Sequence, residues 1–271
     1  MKILRCRPTY FDVVYAINPH MKVGSVDKQK ATQEWEDLGE IYESIGVQVE
    51  TLDGAEGFPD MVFTANQSFP WKDASGKKHV ALSRMASKER AGEVAFFKEF
   101  YEKAGYLIHE MPEHLGTFEG MGDAIWHADG SQIWGGHGYR TKKEVYDWLS
   151  QETGKPVVTL ALHDPAFYHL DVCLCVLNET TALVYPPAFD EESYAKIQSG
   201  FENLIEITKE EAYNFVCNAH APDQKHVILQ QGSPRIEALL KEKAFIPIPL
   251  STAEFIKAGG SVFCMKMDLP A

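Results

Sequence analysis

No apolar run in this 271-residue chain approaches the ~20 residues that a membrane-spanning helix needs, so a membrane role is not expected. Positive charge is scarce. Twenty-six Lys and Arg face 39 Asp and Glu, a formal net charge of −13, and this argues against a nucleic-acid partner, which requires a basic face. The same balance would tolerate or attract a cationic small molecule. Cysteine is sparse as well. Five thiols, an odd number without metal-type spacing, suggest neither a disulfide framework nor a metal site but a reducing, cytoplasmic setting. Arg5, Cys6 and Arg7 interrupt the opening apolar stretch, which is not the pattern of a signal peptide. No low-complexity linker divides the sequence, so residues 1–271 are expected to form one domain.

What is present is ordinary globular usage, 45% hydrophobic, enough for a substantial core. The segment 27–46 carries Trp35, Leu38, Ile41, Tyr42 and Ile45 on one helical stripe and stops at Gly46; the segment 87–105 repeats the pattern. Shorter helices are expected at 141–152, 190–203, 233–243 and 251–258. Strand-like runs such as MKILRC, MVFTAN, KHVALS, LDVCLCVL, KHVILQ and SVFCMKM outnumber them. A doubly wound sheet would alternate the two more evenly. Several runs follow another strand closely and precede a helix, which suggests a repeated strand–strand–helix unit.

Four polar stretches lie where strand-like runs end. FPDMVFTANQSF begins its apolar run at Asp60 and ends it at Asn66, a pattern that turn formers around a strand also explain. TFEGMGDAIW holds Glu119 and Asp123 among glycines that allow close backbone approach, or simply a solvated loop. AFYHLDVCLCVL places His169 and Asp171 two residues apart, on one face if the run is a strand, where they could pair an acid/base with a cation-binding group. Cys173 and Cys175 of the same run read as packing. AGGSVFCMKM supplies Cys264. A thiol with a His and a carboxylate elsewhere is the outline of covalent catalysis, although each element alone also has a structural reading.

Together FPDMVFTAN, TFEGMGDAIW, GGHGYRT, YHLDVCLCVL and AGGSVFCMKM resemble, in order and from about residue 1 to 267, the guanidine-modifying (pentein) superfamily. That group contains arginine deiminases, dimethylarginine dimethylaminohydrolases, amidinotransferases and arginine dihydrolases. The resemblance implies an α/β fold, a five-bladed propeller of strand–strand–helix–strand units around a central site. It implies Cys264 as nucleophile, His169 as proton carrier and Glu119 as the group that holds His169. Asp171 would bind guanidinium nitrogens, Asp60 the substrate's α-amino group, and Arg84 and Arg140 its carboxylate. Asn18 would lie in an N-terminal loop over the site. The implied partner is arginine or a close derivative, with no cofactor and no metal; a homo-oligomer is compatible with the sequence.

Two departures rank the members. Deiminases and dimethylarginine hydrolases carry Asp at the position of Asn66, whereas arginine dihydrolases share the Asn and an INP-M stretch near the N-terminus. Dimethylarginine hydrolases lack an acid at the position of Asp171. A neutral amide that both donates and accepts weakens the preference for a cation over a ureido group. The first expectation is therefore an arginine dihydrolase, giving ornithine, ammonia and carbon dioxide. A deiminase stopping at citrulline comes next, then a dimethylarginine hydrolase, then an amidinotransferase. An inactive amino-acid-binding member is the non-enzymatic alternative. Dihydrolases often carry a second domain beyond the cysteine, which this sequence does not include.

Overall fold

The computed structural model describes residues 1–270. In chain order its main elements are β1 (Lys2–Cys6), α1 (Lys28–Ser44), β2 (Gln48–Leu52), β3 (Ser68–Lys72), β4 (Lys78–Leu82), α2 (Glu93–Lys103), β5 (Leu107–Glu110), α3 (Gly120–Asp123), β6 (Ala124–Trp126), β7 (Ile133–His137), α4 (Val145–Thr153) and β8 (Val157–Ala161). There follow β9 (Leu174–Val176), β10 (Thr181–Val184), α5 (Glu191–Gly200), β11 (Asn203–Glu206), α6 (Lys209–Tyr213), β12 (His226–Gln230), α7 (Pro234–Glu242), β13 (Ile246–Leu250), α8 (Ala253–Ile256) and β14 (Met267–Leu269).

Among the described residues the strands form five separate sheets, β14-β1-β2, β3-β4-β5, β6-β7-β8, β9-β10-β11 and β12-β13. In the four three-stranded sheets the first two strands are antiparallel and the third returns parallel after a helix. The fifth keeps the helix and the parallel pair, and a single bridge from His220 to Ile228 stands where the antiparallel strand would be. This is the strand–strand–helix–strand unit suggested by the sequence. Local chemistry shapes each part. Asp73 and Gly76 (φ 86°) close the β3–β4 hairpin, the Asp73 carboxylate accepting from the Ser75 and Lys77 amides. Asp27 caps α1 by accepting from the Gln29 and Lys30 amides, and Trp35, Leu38 and Tyr42 form its buried stripe.

The structure corrects four strand expectations, one of them NFVCNA, where α6 runs into turns at 214–217. Residues 59–66 form two short 3-10 turns, Leu170–Val172 forms another, and the chain turns through 261–266 before reaching β14. Cys173 consequently lies outside β9, which Cys175 occupies. These runs are buried on all sides, so their apolar residues show no period that separates a strand from a tight turn. The second long helix begins at Glu93 rather than at 87. Residues 88–92 form turns instead, and Gly92 lies so close to the Phe58 ring that an added Cβ would fall 2.6 Å from it.

Turns at 59–66, 120–123, 170–172, 214–219 and 261–266 carry Asn66, Asp123, Asp171, Asn218 and Cys264, all buried. Their approach is tight enough to demand glycine at Gly120, where φ is 54° and a Cβ would fall 2.3 Å from the Ser68 carbonyl oxygen. Gly130 also has positive φ (68°) but open space around its Cβ position. Gly130→Ala is expected to cost about 1 kcal/mol from backbone strain alone. Gly120→Ala adds a clash with backbone and is expected to cost at least ~3 kcal/mol. Urea unfolding of the two variants checks this; equal costs would show that the turns are not packed as described.

Candidate active site

Glu119 is fully buried just ahead of α3, and it organises one side of the site. One oxygen meets His169 Nε2 at 2.7 Å and accepts from Arg140 Nη1 at 3.1 Å; the other accepts from the Ala86 amide at 2.9 Å. Burial pushes this carboxyl up, but the His169 hydrogen bond and the Arg140 charge more than offset it and hold Glu119 well below the usual range. Arg140 also donates through Nη2 to the Ile17 carbonyl at 2.9 Å, and its guanidinium lies 4.7 Å over the Tyr168 ring. Asp123 accepts from the Leu170 amide through one oxygen and leaves the other without a partner, 4.0 Å from His169 Nε2. Burial raises its pKa to about 7, so its proton is held near neutrality.

Cys264 Sγ lies 3.0 Å from Asp171 Oδ2 and 3.2 Å from Asn218 Nδ2. Burial, and then the neighbouring Asp171 carboxylate, push the thiol well above its ordinary value. Burial likewise raises Asp171 to about 7, although the thiol hydrogen bond and Asn218 work against it. In the ground state Cys264 is therefore a thiol whose S–H donates to Asp171. Asp171 Oδ1 has no partner and remains a free acceptor.

The opposite wall is built by Asn66, Arg90 and Asp60. Arg90 lies in the turns before α2, donates to Asn66 Oδ1 at 2.8 Å and to the Asp60 carbonyl at 3.0 Å, and pairs with Glu93 at 2.8 Å. A guanidinium has no acceptor, so the Asn66 oxygen must face it, and Asn66 Nδ2 is left as a buried donor without a partner. Asp60 accepts from the Tyr15 hydroxyl at 2.9 Å through Oδ2, while Oδ1 is unpartnered. The N-terminal segment closes over these groups. Asn18 Nδ2 donates to the Ala258 carbonyl at 3.0 Å, and the Tyr168 hydroxyl donates to the Gly259 carbonyl at 2.6 Å. The resulting cavity is small and nearly closed, and is lined by Asn18, Asp60, Asn66, Arg90, Arg140, Tyr168, His169 and Cys264 among others. It combines a thiol, an imidazole held by a carboxylate, and unpartnered acceptors suited to a cation with several N–H donors.

Of the residues singled out in the sequence, Asn18, Asp60, Asn66, Arg140, His169 and Cys264 line this cavity, Glu119 backs His169, and Asp171 backs Cys264. Arg84 does not reach it. Its guanidinium is spent on the carbonyls of Met111, Pro112, Glu113 and Gly116, where it fastens a loop beside a separate surface groove. Arg90 stands in the cavity instead. Sequence reasoning missed it because a helix started at 87 puts Arg90 and Glu93 on a solvated face as an ordinary i,i+3 pair. Asn218, Tyr168 and Tyr15 were also missed; Asn218 in NFVCNA resembles a strand residue, and only its four bonds reveal it. Among the described residues no group of three or more His, Cys, Asp or Glu is positioned to hold a metal ion.

Residues 16–270 match the family described as N,N dimethylarginine dimethylhydrolase, eukaryotic. The chain is 35% identical, over 98% of its length, to the bifunctional arginine dihydrolase/ornithine cyclodeaminase ArgZ of Synechocystis, but spans only 37% of that protein. It is 34% identical to the N(G),N(G)-dimethylarginine dimethylaminohydrolase of Mycobacterium tuberculosis, covering 97% of this chain and 83% of the relative. Among solved structures, the substrate-bound N-terminal domain of ArgZ, a cyanobacterial arginine dihydrolase with one cysteine replaced by serine, superposes with a TM-score of 0.93 at 34% identity, covering 99% of this chain and 98% of that one. The match extends across nearly the whole chain, including the turns that carry the thiol, the imidazole and the buried acids, and the chain belongs to the dimethylarginine dimethylaminohydrolase family of the guanidine-modifying superfamily.

Proposed function

We propose that this chain is a cysteine-dependent arginine dihydrolase, converting arginine and two waters into ornithine, two ammonia and carbon dioxide. The observation that carries this reading is the orientation of Asn66: Arg90 takes its oxygen, so its amide N–H faces the cavity. A guanidinium offers only donors and gives that N–H nothing to bind, whereas the oxygen of a citrulline ureido group accepts it. A site with Asp at this position would hold a guanidinium more tightly and release citrulline. Likeness to the arginine dihydrolase domain of ArgZ supports the same reading.

In the first round the Cys264 thiolate adds to the guanidinium carbon while Asp171 binds its nitrogens. His169, held by Glu119, protonates the departing ammonia and then takes a proton from the water that cleaves the S-amidino intermediate. In the second round the thiolate adds to the ureido carbon of citrulline, the second ammonia leaves, and hydrolysis of the S-carbamoyl intermediate gives ornithine and carbon dioxide. Asp60, through its free oxygen, would take the α-ammonium. Arg140 and Arg90, rather than Arg84, would take the α-carboxylate, and Asn18 would close the loop over it. We read residues 1–271 as one domain whose five sheets are the blades of a propeller around this cavity. Release of dimethylamine from methylated arginine is the second reading. It is favoured by the family match and the mycobacterial relative, and opposed by the acid at Asp171, an acceptor that an unmethylated guanidinium, with its extra N–H donors, would use better.

Product stoichiometry tests the proposal. With L-arginine, two ammonia per ornithine are expected; one ammonia with accumulating citrulline identifies a deiminase, and dimethylamine from dimethylarginine identifies the second reading. Cys264→Ser should abolish turnover and keep the fold. Asn66→Asp should shift the product toward citrulline, and an unchanged ornithine fraction would contradict the role given to Asn66.

The raised pKa of Asp171 has a stability consequence with a definite sign. Between its ordinary value of 3.8 and about 7 the folded chain holds a proton that the unfolded chain has lost, so stability falls as pH rises through that window. Asp171→Asn removes this loss. It should be more stable than the parent by ~2–4 kcal/mol at pH 8 and indistinguishable near pH 4, as read by urea denaturation. An advantage that grows toward acid pH would refute the assignment.

A further inference from the structure

We propose that Asn218 is a catalytic residue, whose side-chain N–H holds the Cys264 thiolate after a cationic substrate has claimed Asp171. Asn218 lies in the turn after α6, far in sequence from Cys264, and is completely buried. All four hydrogen-bonding positions of its amide are used. Oδ1 accepts from the backbone amides of Ser261 at 3.0 Å and Cys264 at 3.2 Å; Nδ2 donates to the Asp171 carbonyl at 3.0 Å and to Cys264 Sγ at 3.2 Å.

This network fixes which way the amide points. Two backbone N–H groups can be satisfied only by the oxygen, so the nitrogen must face the sulfur. The Phe263 amide, bonded to the Asn218 carbonyl at 3.0 Å, ties the same turn to the same residue. Cys264 thus meets two side chains with opposite effects on a thiolate. Asp171, at 3.0 Å, accepts the thiol proton and repels a negative sulfur. Asn218 is a neutral donor that stabilises the thiolate and has no effect of that kind on the thiol.

Substrate changes the balance between them. A guanidinium that binds the Asp171 carboxylate removes the acceptor of the thiol proton and cancels the charge that opposed the thiolate. The Asn218 N–H remains where it was, because its partners on the other side of the amide are backbone. It then acts as a preorganised donor to the attacking sulfur, in the sense in which fixed dipoles stabilise developing anions. Asn218 also carries the thiolate through both leaving-group steps, when the sulfur is expelled from the S-amidino and S-carbamoyl adducts. The inference rests on Cys264 being the nucleophile but not on which guanidine is the substrate.

Asn218→Asp tests it, since the oxygens can still accept from the Ser261 and Cys264 amides while the N–H donor is lost. Three readouts are needed: thermal unfolding, thiolate absorbance at 240 nm against pH in the presence of methylguanidinium, and alkylation of Cys264 by iodoacetamide followed by mass spectrometry. The expected result is a folded protein whose thiol titrates at least one unit higher, with about tenfold less thiolate and correspondingly slower alkylation near pH 8. The acid limb of kcat/KM should move up by the same amount. A folded variant with unchanged thiolate titration and alkylation overturns the proposal. Should the variant not fold, the parent protein decides: the Asn218 side-chain amide resonance should shift with the same midpoint as the 240 nm absorbance, and an amide that does not follow the thiolate overturns the proposal equally. A Cys264→Ser variant that retained turnover would instead overturn the choice of nucleophile.

Discussion

The buried contact of Glu119 with His169 and Arg140 is the interaction on which the site depends. An isolated carboxylate in a dry interior costs far more than a fold of this size can spare. Here the charge is shared between an imidazole at 2.7 Å and a guanidinium at 3.1 Å, and a backbone amide occupies the remaining acceptor. The same contact orients His169, because it ties the Nε2 of that ring to Glu119. It also connects distant parts of the chain. Arg140 reaches Ile17 in the N-terminal segment, so the loop over the cavity and the Glu119–His169 pair are joined through one guanidinium.

Around this contact the structure tolerates an unusual concentration of polar atoms without partners. Asp60 Oδ1, Asn66 Nδ2, Asp123 Oδ2 and Asp171 Oδ1 are all buried and unsatisfied. Each would be a liability in a core built for stability alone. Asp60 and Asn66 line the cavity, and Asp123 and Asp171 stand behind its His169 and Cys264, so the unpaired atoms gather at one place in the fold. The elevated pKa values of Asp123 and Asp171, both about 7, express the same tension. Stability is given up where a ligand is to be held, as expected of functional sites.

The excess of strands over helices spoke against a doubly wound sheet and hinted at a repeated unit, the α/β fold itself was expected from the family resemblance, and α1 was legible down to its buried stripe and its closing glycine. The inner turns were not legible. MVFTAN, HLDVC and SVFC read as strands because complete burial erases the alternation that marks one face of a sheet. The side chains singled out there still met, since tight turns and strand ends both deliver residues to a centre. Arg84 and Arg90 were confused for a different reason. They are six residues apart in the same segment, and which of them faces inward depends on whether the chain is helical at 87–92. The inward bonds of Arg90, to Asn66 and to the Asp60 carbonyl, reach residues 24 and 30 positions away, and no local pattern records them. Asn218 was invisible because its role lies in bonds to residues more than forty positions away.

Arg90 shows how a charge can set the chemistry of a neutral group beside it. With its guanidinium against Asn66 Oδ1, the amide cannot rotate to offer its oxygen to the cavity without leaving an arginine hydrogen unpaired in a dry site. Asn66 is therefore a donor by compulsion. An Asp at the same position would be an acceptor in every orientation, and it would add a second anion beside Arg90. The difference between these two side chains is one of charge and of hydrogen-bond direction, with almost no change in shape. On the proposed reading, a site that binds first a cation and then its neutral hydrolysis product needs one strong acceptor and one donor at the reacting group. Asp171 and Asn66 have those properties, and the surrounding bonds, Cys264 and Asn218 on one side and Arg90 on the other, keep them from exchanging roles.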